Sequence, residues 1–205
     1  MKYTELSVRP MGHVYNEQDM LVLVGQIAGE CYNSSKESDA CVRRALGCIK
    51  RGHHSPWEHV QVTLNCTVDR GTSHALVRHR HCAFQQSSTI YQRFDDITLI
   101  ASYVGVDKND DIRHYAYEKI EQAYKSLLDI GEQPSSARDV LPNALATNLI
   151  ITTNIRQWFY MMKRRIGPGD SERMHLWANC VCAWFEEHYP QITAAFDSWY
   201  EGHPL

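Results

Sequence analysis

Arg78-His79-Arg80-His81-Cys82 runs into Ala83-Phe84-Gln85-Gln86-Ser87-Ser88 and closes on Thr89-Ile90-Tyr91. Permanent cations, imidazoles, amides and hydroxyls in that order make a poor core segment. They make a good cradle for a phosphorylated, hydrogen-bonding ligand. A solvated surface turn is the competing reading, and an Arg-His-Arg triplet by itself favours it. Three further places carry polar residues that packing does not require: His53 to His59, Arg138, and a helical stretch with Asn154, Arg156 and Arg165. Asn154 and Arg165 are eleven residues apart, close to three helical turns, so both can point to one side, while Arg156 points elsewhere. Taken singly, these arginines also fit a solvated helix face with scattered ion pairs.

Several chemistries can be set aside. No Gly-x-Gly-x-x-Gly follows a strand, and there is no Walker loop and no Gly-x-Ser-x-Gly elbow around Ser88. Cys82 beside His81 is a candidate thiolate, because cationic neighbours lower a thiol pKa. A reaction that sets a bound cofactor against a bound substrate, with no protein nucleophile, fits the surrounding residues better. His53, His54 and His59 lie close together but match no compact zinc spacing, so a ligand-facing loop is favoured and no metal is expected.

The elements that must hold these groups are legible in outline. A chain of 205 residues suits one domain, and 43% hydrophobic with 22% charged residues is ordinary for a globular protein. The net charge of -3 gives no general basic field for nucleic acid. Seven cysteines without disulfide-like grouping suggest free thiols in a reducing compartment. No charged leader with an apolar run and no membrane-length segment is seen, so a cytoplasmic soluble protein is expected.

Residues 1–18 read as an irregular or extended lead-in. Apolar spacing predicts helices from Asp19 to about Tyr32 and from Ser38 to Gly52. Strict alternation predicts a half-buried strand over His59–Val68. Asp69-Arg70-Gly71 reads as a turn, with Thr72 or Ser73 capping a short helix into the Arg-rich stretch. Residues 92–105 carry no clear pattern. A long amphipathic helix is expected over Asp110–Ile130, a short one between Pro134 and Pro142, and a second strand over 145–153. Asn154 should cap a helix ending near Arg165, Gly167-Pro168-Gly169 should interrupt it, and helices at about 171–188 and 190–201 finish the chain. The economical reading is a single α+β domain over 1–205, a small antiparallel sheet flanked by many helices.

Arg78-His79-Arg80, seven residues, then Ser88 resembles the Arg-His-Arg-x7-Ser signature of the flavin-dependent thymidylate synthases, the ThyX family. The resemblance extends along the chain. Gly52-His53-x-Ser55-Pro56-Trp57-Glu58-His59, Ser73-His74-x-Leu76-Val77, Ala137-Arg138-x-x-Leu141-Pro142 and Asn154-x-Arg156-x-Trp158 with Arg165 are similar to family segments in the same order. It implies a ThyX-like fold and a homotetramer with active sites shared between subunits. It implies FAD as cofactor, methylenetetrahydrofolate and NADPH as co-substrates, and reductive C5-methylation of dUMP to dTMP. Carried over by position, His53, Ser55, Arg78, His79, Arg80, Asn154 and Arg156 would contact FAD, with Tyr160 and Gln86 beside them. Gln86, Ser87, Ser88, Thr89 and Arg138 would surround the nucleotide, with Arg78 near both ligands. Arg165 would face the pyrimidine and favour ionisation at N3, a role suited to a permanent cation beside a weak acid.

Ala75 stands where the family commonly has Gln, Ile90 where it commonly has Arg, and Tyr160 where His or Asn is usual. Losing the arginine removes a charge-assisted contact worth about 1.5–3 kcal/mol, and Arg93 is a candidate replacement. The Gly167-Pro168-Gly169 segment alters the turn after Arg165. These departures leave UMP or another pyrimidine nucleotide as an alternative substrate, and a weakly active flavin- or nucleotide-binding homologue as a third reading.

Overall fold

The computed structural model describes residues 1–101 and 110–205. Its elements in chain order are β1 (Lys2–Thr4), β2 (Ser7–Pro10), α1 (Glu17–Glu30), α2 (Ser38–Lys50), a 3-10 turn at Ser55–His59, β3 (Gln61–Asp69), α3 (Arg70–Leu76), β4 (Cys82–Gln86), β5 (Thr98–Ile100), α4 (Asp110–Asp129), α5 (Pro134–Ala137), a second 3-10 turn at Arg138–Val140, β6 (Ala146–Asn154), α6 (Ile155–Ile166), α7 (Glu172–His188) and α8 (Pro190–Gly202). The expected α+β class is met. The lead-in holds two short strands, and β5 lies in the stretch whose pattern was unclear. The rest of that stretch, 102–105, falls outside the described residues.

Four strands pair in the order β2-β3-β6-β4. The amide of Ile155 donates to the Val60 carbonyl at 3.0 Å and that of Arg70 to the Leu145 carbonyl at 3.1 Å, so β3 and β6 run antiparallel. The second sheet departs from the antiparallel expectation. β1 pairs with β5 in parallel, in the register Lys2 to Thr98, Tyr3 to Leu99 and Thr4 to Ile100. Parallel strands need a long connection, and the whole stretch between residues 4 and 98 supplies it.

A second correction concerns the start of α3. Asp69, not Thr72 or Ser73, is the cap. Its carboxylate accepts from the Thr72 amide at 2.9 Å and from the Thr72 hydroxyl at 2.6 Å. The helix therefore begins at Arg70, inside the expected turn. A carboxylate at the N-cap satisfies an orphan amide and complements the helix dipole, which a buried threonine hydroxyl does less well. Asn154 caps α6 as expected, accepting from the Gln157 amide at 2.8 Å.

The chain divides into two compact units, Met1–Ser7 with Cys66–Arg78 and Gln85–Leu149, and Val8–Asn65 with His79–Phe84 and Ile150–Leu205. In the first, Ile97, Leu99, Ala144 and Leu145 form one buried cluster, and Tyr124, Leu128 and Ala137 another where α4 meets α5. The second is built around Trp57, Trp158, Phe159, Phe185 and Phe196, all buried. Phe159 and Phe196 stack with centroids 4.3 Å apart.

Two glycines in the second unit are sterically required. A Cβ on Gly25 would lie 2.1 Å from the Cys41 carbonyl oxygen, so α1 and α2 touch backbone to backbone there. Gly52 has φ +73°. Its amide donates to the Ile49 carbonyl and that of His53 to the Cys48 carbonyl, both at 2.9 Å, the paired bonds of a Schellman stop to α2. Gly25→Ala is expected to lower stability by about 2 kcal/mol in urea denaturation, since overpacking outweighs the gain in helix propensity. An unchanged midpoint would contradict this packing.

Candidate functional site

The Schellman stop delivers His53 to the surface, and the 3-10 turn after it splits the polar run 53–59 into two roles. His54 is buried, its Nε2 3.2 Å from the Ile49 carbonyl, and its ring meets Phe196 at 5.2 Å and Trp199 at 4.9 Å. Burial pushes its pKa down, so it serves the core as neutral imidazole. His53, Ser55 and Glu58 are exposed. A cavity of about 780 Å³ opens there, with Arg51, His53, Ser55, His59 and Arg156 in its lining. The Arg156 guanidinium donates to the Glu58 carboxylate. Asn154 spends its side-chain oxygen on the α6 cap, which leaves the amide nitrogen as the group it can present. The expected ligand-facing loop is thus half core and half cavity wall. Among the described residues no three His, Cys, Asp or Glu side chains gather as a metal site.

Also in this unit, Arg165 Nε donates to His79 Nε2 at 2.9 Å, and Nη1 reaches Asp170 Oδ1 at 3.0 Å. The Tyr160 ring meets the His79 ring edge-on, with centroids 6.3 Å apart. Arg80 is exposed, and its carbonyl accepts from the Cys82 thiol at 3.4 Å. His81 takes φ +61°, uncommon for a side-chain-bearing residue, and its carbonyl accepts from the Thr153 hydroxyl at 2.6 Å. That bond holds the bend between the Arg-His-Arg triplet and β4.

The first unit holds the remaining candidates. Gln86 Nε2 donates to Ser73 Oγ at 2.8 Å and to Thr147 Oγ1 at 3.3 Å, so its amide is oriented by α3 and β6. The Ser87 amide continues the pairing, donating to the Asn148 carbonyl at 3.0 Å. Ser88 Oγ accepts from the Ile90 amide at 3.1 Å. Thr89 is buried, and its hydroxyl accepts from Arg138 Nη1 at 3.2 Å. Arg138 Nε is anchored to the Ser135 carbonyl at 3.1 Å. Ala75 is half-buried on α3, while Arg78 and Ile90 are exposed, as is Arg93.

Two polar residues were missing from the sequence reading. Arg70 Nη1 is buried with no hydrogen-bond partner among the described residues, and burial, followed by repulsion from Arg138, lowers the Arg70 pKa. Asp170 meets Arg165 after the Gly-Pro-Gly turn. Their signals were present: an arginine at the first position of a helix, and an acid five residues beyond a candidate cation. Neither spacing reveals what the folded chain brings close.

Residues 14–191 match the family model of the thymidylate synthase complementing protein. The chain belongs to that family. This meets the expectation drawn from Arg78-His79-Arg80 and Ser88. Over 175 residues the chain is 29% identical to the flavin-dependent thymidylate synthase of Mycobacterium tuberculosis, covering 74% of this chain and 70% of that protein. The flavin-dependent thymidylate synthase of Geobacter sulfurreducens is 34% identical over 119 residues, 56% of this chain and 51% of that one. The crystal structure of the UMP/dUMP methylase PolB from Streptomyces cacaoi, bound with 5-Br dUMP, gives a TM-score of 0.79 at 21% identity, with 97% of both chains covered. That likeness establishes the ThyX-like fold.

Cys82 is no activated thiolate. Burial pushes its thiol pKa up, with only a smaller opposing effect from Thr153. Its sulfur lies 3.6 Å from the Met161 thioether, an apolar setting that disfavours charge. At neutral pH, iodoacetamide should label exposed Cys31 at least about tenfold faster than Cys82, as read by peptide mass mapping. Faster labelling of Cys82 would restore it as a nucleophile candidate.

Proposed function

We propose that this chain is a flavin-dependent thymidylate synthase, carrying out reductive C5-methylation of dUMP to dTMP with methylenetetrahydrofolate as carbon donor and NADPH as reductant. The observation that carries this is the Arg-His-Arg-x7-Ser signature within the matched residues 14–191, with the candidate flavin and nucleotide groups set out along the same chain. In this reading the two units act as one ThyX-like domain over 1–205. The protein works in the cytoplasm as a homotetramer whose subunits share active sites. No helix among the described residues is long and apolar enough to cross a membrane.

FAD fits the groups present. The cavity beside His53 and Ser55 offers cationic and hydrogen-bonding walls with an apolar side formed by Ile27 and Ala28, a suitable lining for part of a dinucleotide. His53, Ser55, Arg78, His79, Arg80, Asn154, Arg156 and Tyr160 would hold it, with Gln86 reaching both ligands. When bound and reduced, FAD would supply the hydride that completes the methyl group.

The chain's own work is positioning and electrostatics. Gln86, Ser87, Ser88, Thr89 and Arg138 would hold the nucleotide, with Arg78 near both ligands and Ala75 and Ile90 shaping the wall. Arg165 would face the pyrimidine and favour the N3 anion, which raises electron density at C5. Ser88 binds rather than attacks. Its hydroxyl already caps a local turn by accepting from the Ile90 amide.

Tritium release from C5-labelled dUMP, compared with UMP, in the presence of FAD, NADPH and methylenetetrahydrofolate tests this reading. Release is expected from dUMP. Arg165→Ala should cut it about 100-fold while FAD binding, followed by flavin absorbance, survives, and Ser88→Ala should retain turnover. Preference for UMP would replace the substrate, an outcome that Ala75 and Ile90 make room for. Absence of release with both nucleotides would overturn the reading.

A further inference from the structure

The turn after α6 makes a contact that the proposed reaction has not used. Gly167-Pro168-Gly169 reverses the chain, with Gly169 at φ +94° where a side chain is disfavoured. The His175 ring holds the turn from α7, its Nε2 3.2 Å from the Gly167 carbonyl. Ser171 caps α7 by accepting from the Met174 amide at 3.3 Å. Asp170 sits between these two fixed points. Its carboxylate takes Arg165 Nη1 at 3.0 Å through Oδ1 and 3.4 Å through Oδ2. The two side chains are only 15% and 17% exposed, so water screens the pair weakly.

His79 grips the same guanidinium from another direction. Arginine has no acceptor, so in the Nε to Nε2 bond the histidine nitrogen must accept, and the His79 ring is neutral with its proton on Nδ1. The groups that meet Arg165 include Asp170 and neutral His79, and Arg164 lies 3.9 Å from Asp170 Oδ2. Tyr160 meets the His79 ring edge-on. Asp170 supplies a negative charge to this group.

We propose that Asp170 is the positioning residue for Arg165, and that its charge sets how strongly Arg165 favours the pyrimidine anion. The inference rests on the reading that Arg165 faces N3. The carboxylate does two things. It fixes the plane of the guanidinium together with His79, so the fork meets the pyrimidine edge preorganised. It also offsets part of the positive field that lowers the N3 pKa. An uncharged amide at this position keeps the first effect and removes the second.

The probe is 5-fluoro-dUMP, whose N3 ionisation changes its ultraviolet absorption. Bound to the flavin-loaded protein, it is titrated with pH in the parent, Asp170→Asn and Asp170→Ala, and tritium release from C5-labelled dUMP is measured alongside. In Asp170→Asn the bound nucleotide should ionise about 0.5–1 pH unit lower than in the parent. Asp170→Ala should lose about tenfold in kcat with little change in KM, and Asp170→Asn should recover most of that loss. A merely structural aspartate would move neither the titration nor the order of the two variants. If Asp170→Ala fails to fold, the Asp170→Asn midpoint decides alone. A midpoint that stays at the parent value overturns the inference and leaves the proposed function standing. A parent that binds no pyrimidine nucleotide overturns the functional reading, and this inference with it.

Discussion

The antiparallel pairing of β3 with β6 is the constraint on which the candidate site depends. Thr63 and Thr152 meet across it hydroxyl to hydroxyl at 2.9 Å, and Thr67 donates to Asn148 at 3.0 Å. Each strand ends on an Asx residue that caps the helix following directly: Asp69 opens α3 and Asn154 opens α6. α3 brings in Arg70, Ser73 and Ala75, while α6 brings in Arg156, Tyr160 and Arg165. A shift of register by one residue would turn the buried face of β3, with Val62, Leu64, Cys66 and Val68, toward solvent. That cost pins both helix starts.

The arginines around the site divide by how their charge is balanced. Arg156 has Glu58 and Arg165 has Asp170. Among the described residues Arg138 is tied to neutral acceptors, the Ser135 carbonyl and the Thr89 hydroxyl. Arg70 keeps a buried, unpartnered Nη1 and is repelled by Arg138. Two half-buried cations that repel one another favour the approach of an anion. This imbalance lies in the unit that holds Gln86 to Ile90.

The aromatic packing of the other unit explains why its polar loop could not be read residue by residue. His53, His54 and His59 look equivalent in the sequence. Gly52 must take φ +73°, and a Cβ there would meet the Trp199 ring at 2.5 Å, so the loop enters at a fixed angle. That angle sends His54 inward against Phe196 and Trp199 and leaves its neighbours on the cavity. Three similar side chains acquire two functions through one glycine and one tryptophan.

The helices from Asp19, Ser38, Asp110 and Asn154, the β3 and β6 strands and the signature residues were legible in the sequence, because each rests on local periodicity, a cap or a dense motif. The Asp69 cap was missed because a carboxylate before an arginine and a glycine also reads as a turn. The parallel β1–β5 pair joins segments far apart in the chain, and three-residue strands carry too little alternation to announce it. The balancing of Arg165 by Asp170, and the unpartnered Nη1 of Arg70 among the described residues, were decided by the tertiary structure. Residue type determines which charges this protein carries. Which charge meets which depends on turns such as Gly167-Pro168-Gly169, which the His175 ring holds from the next helix.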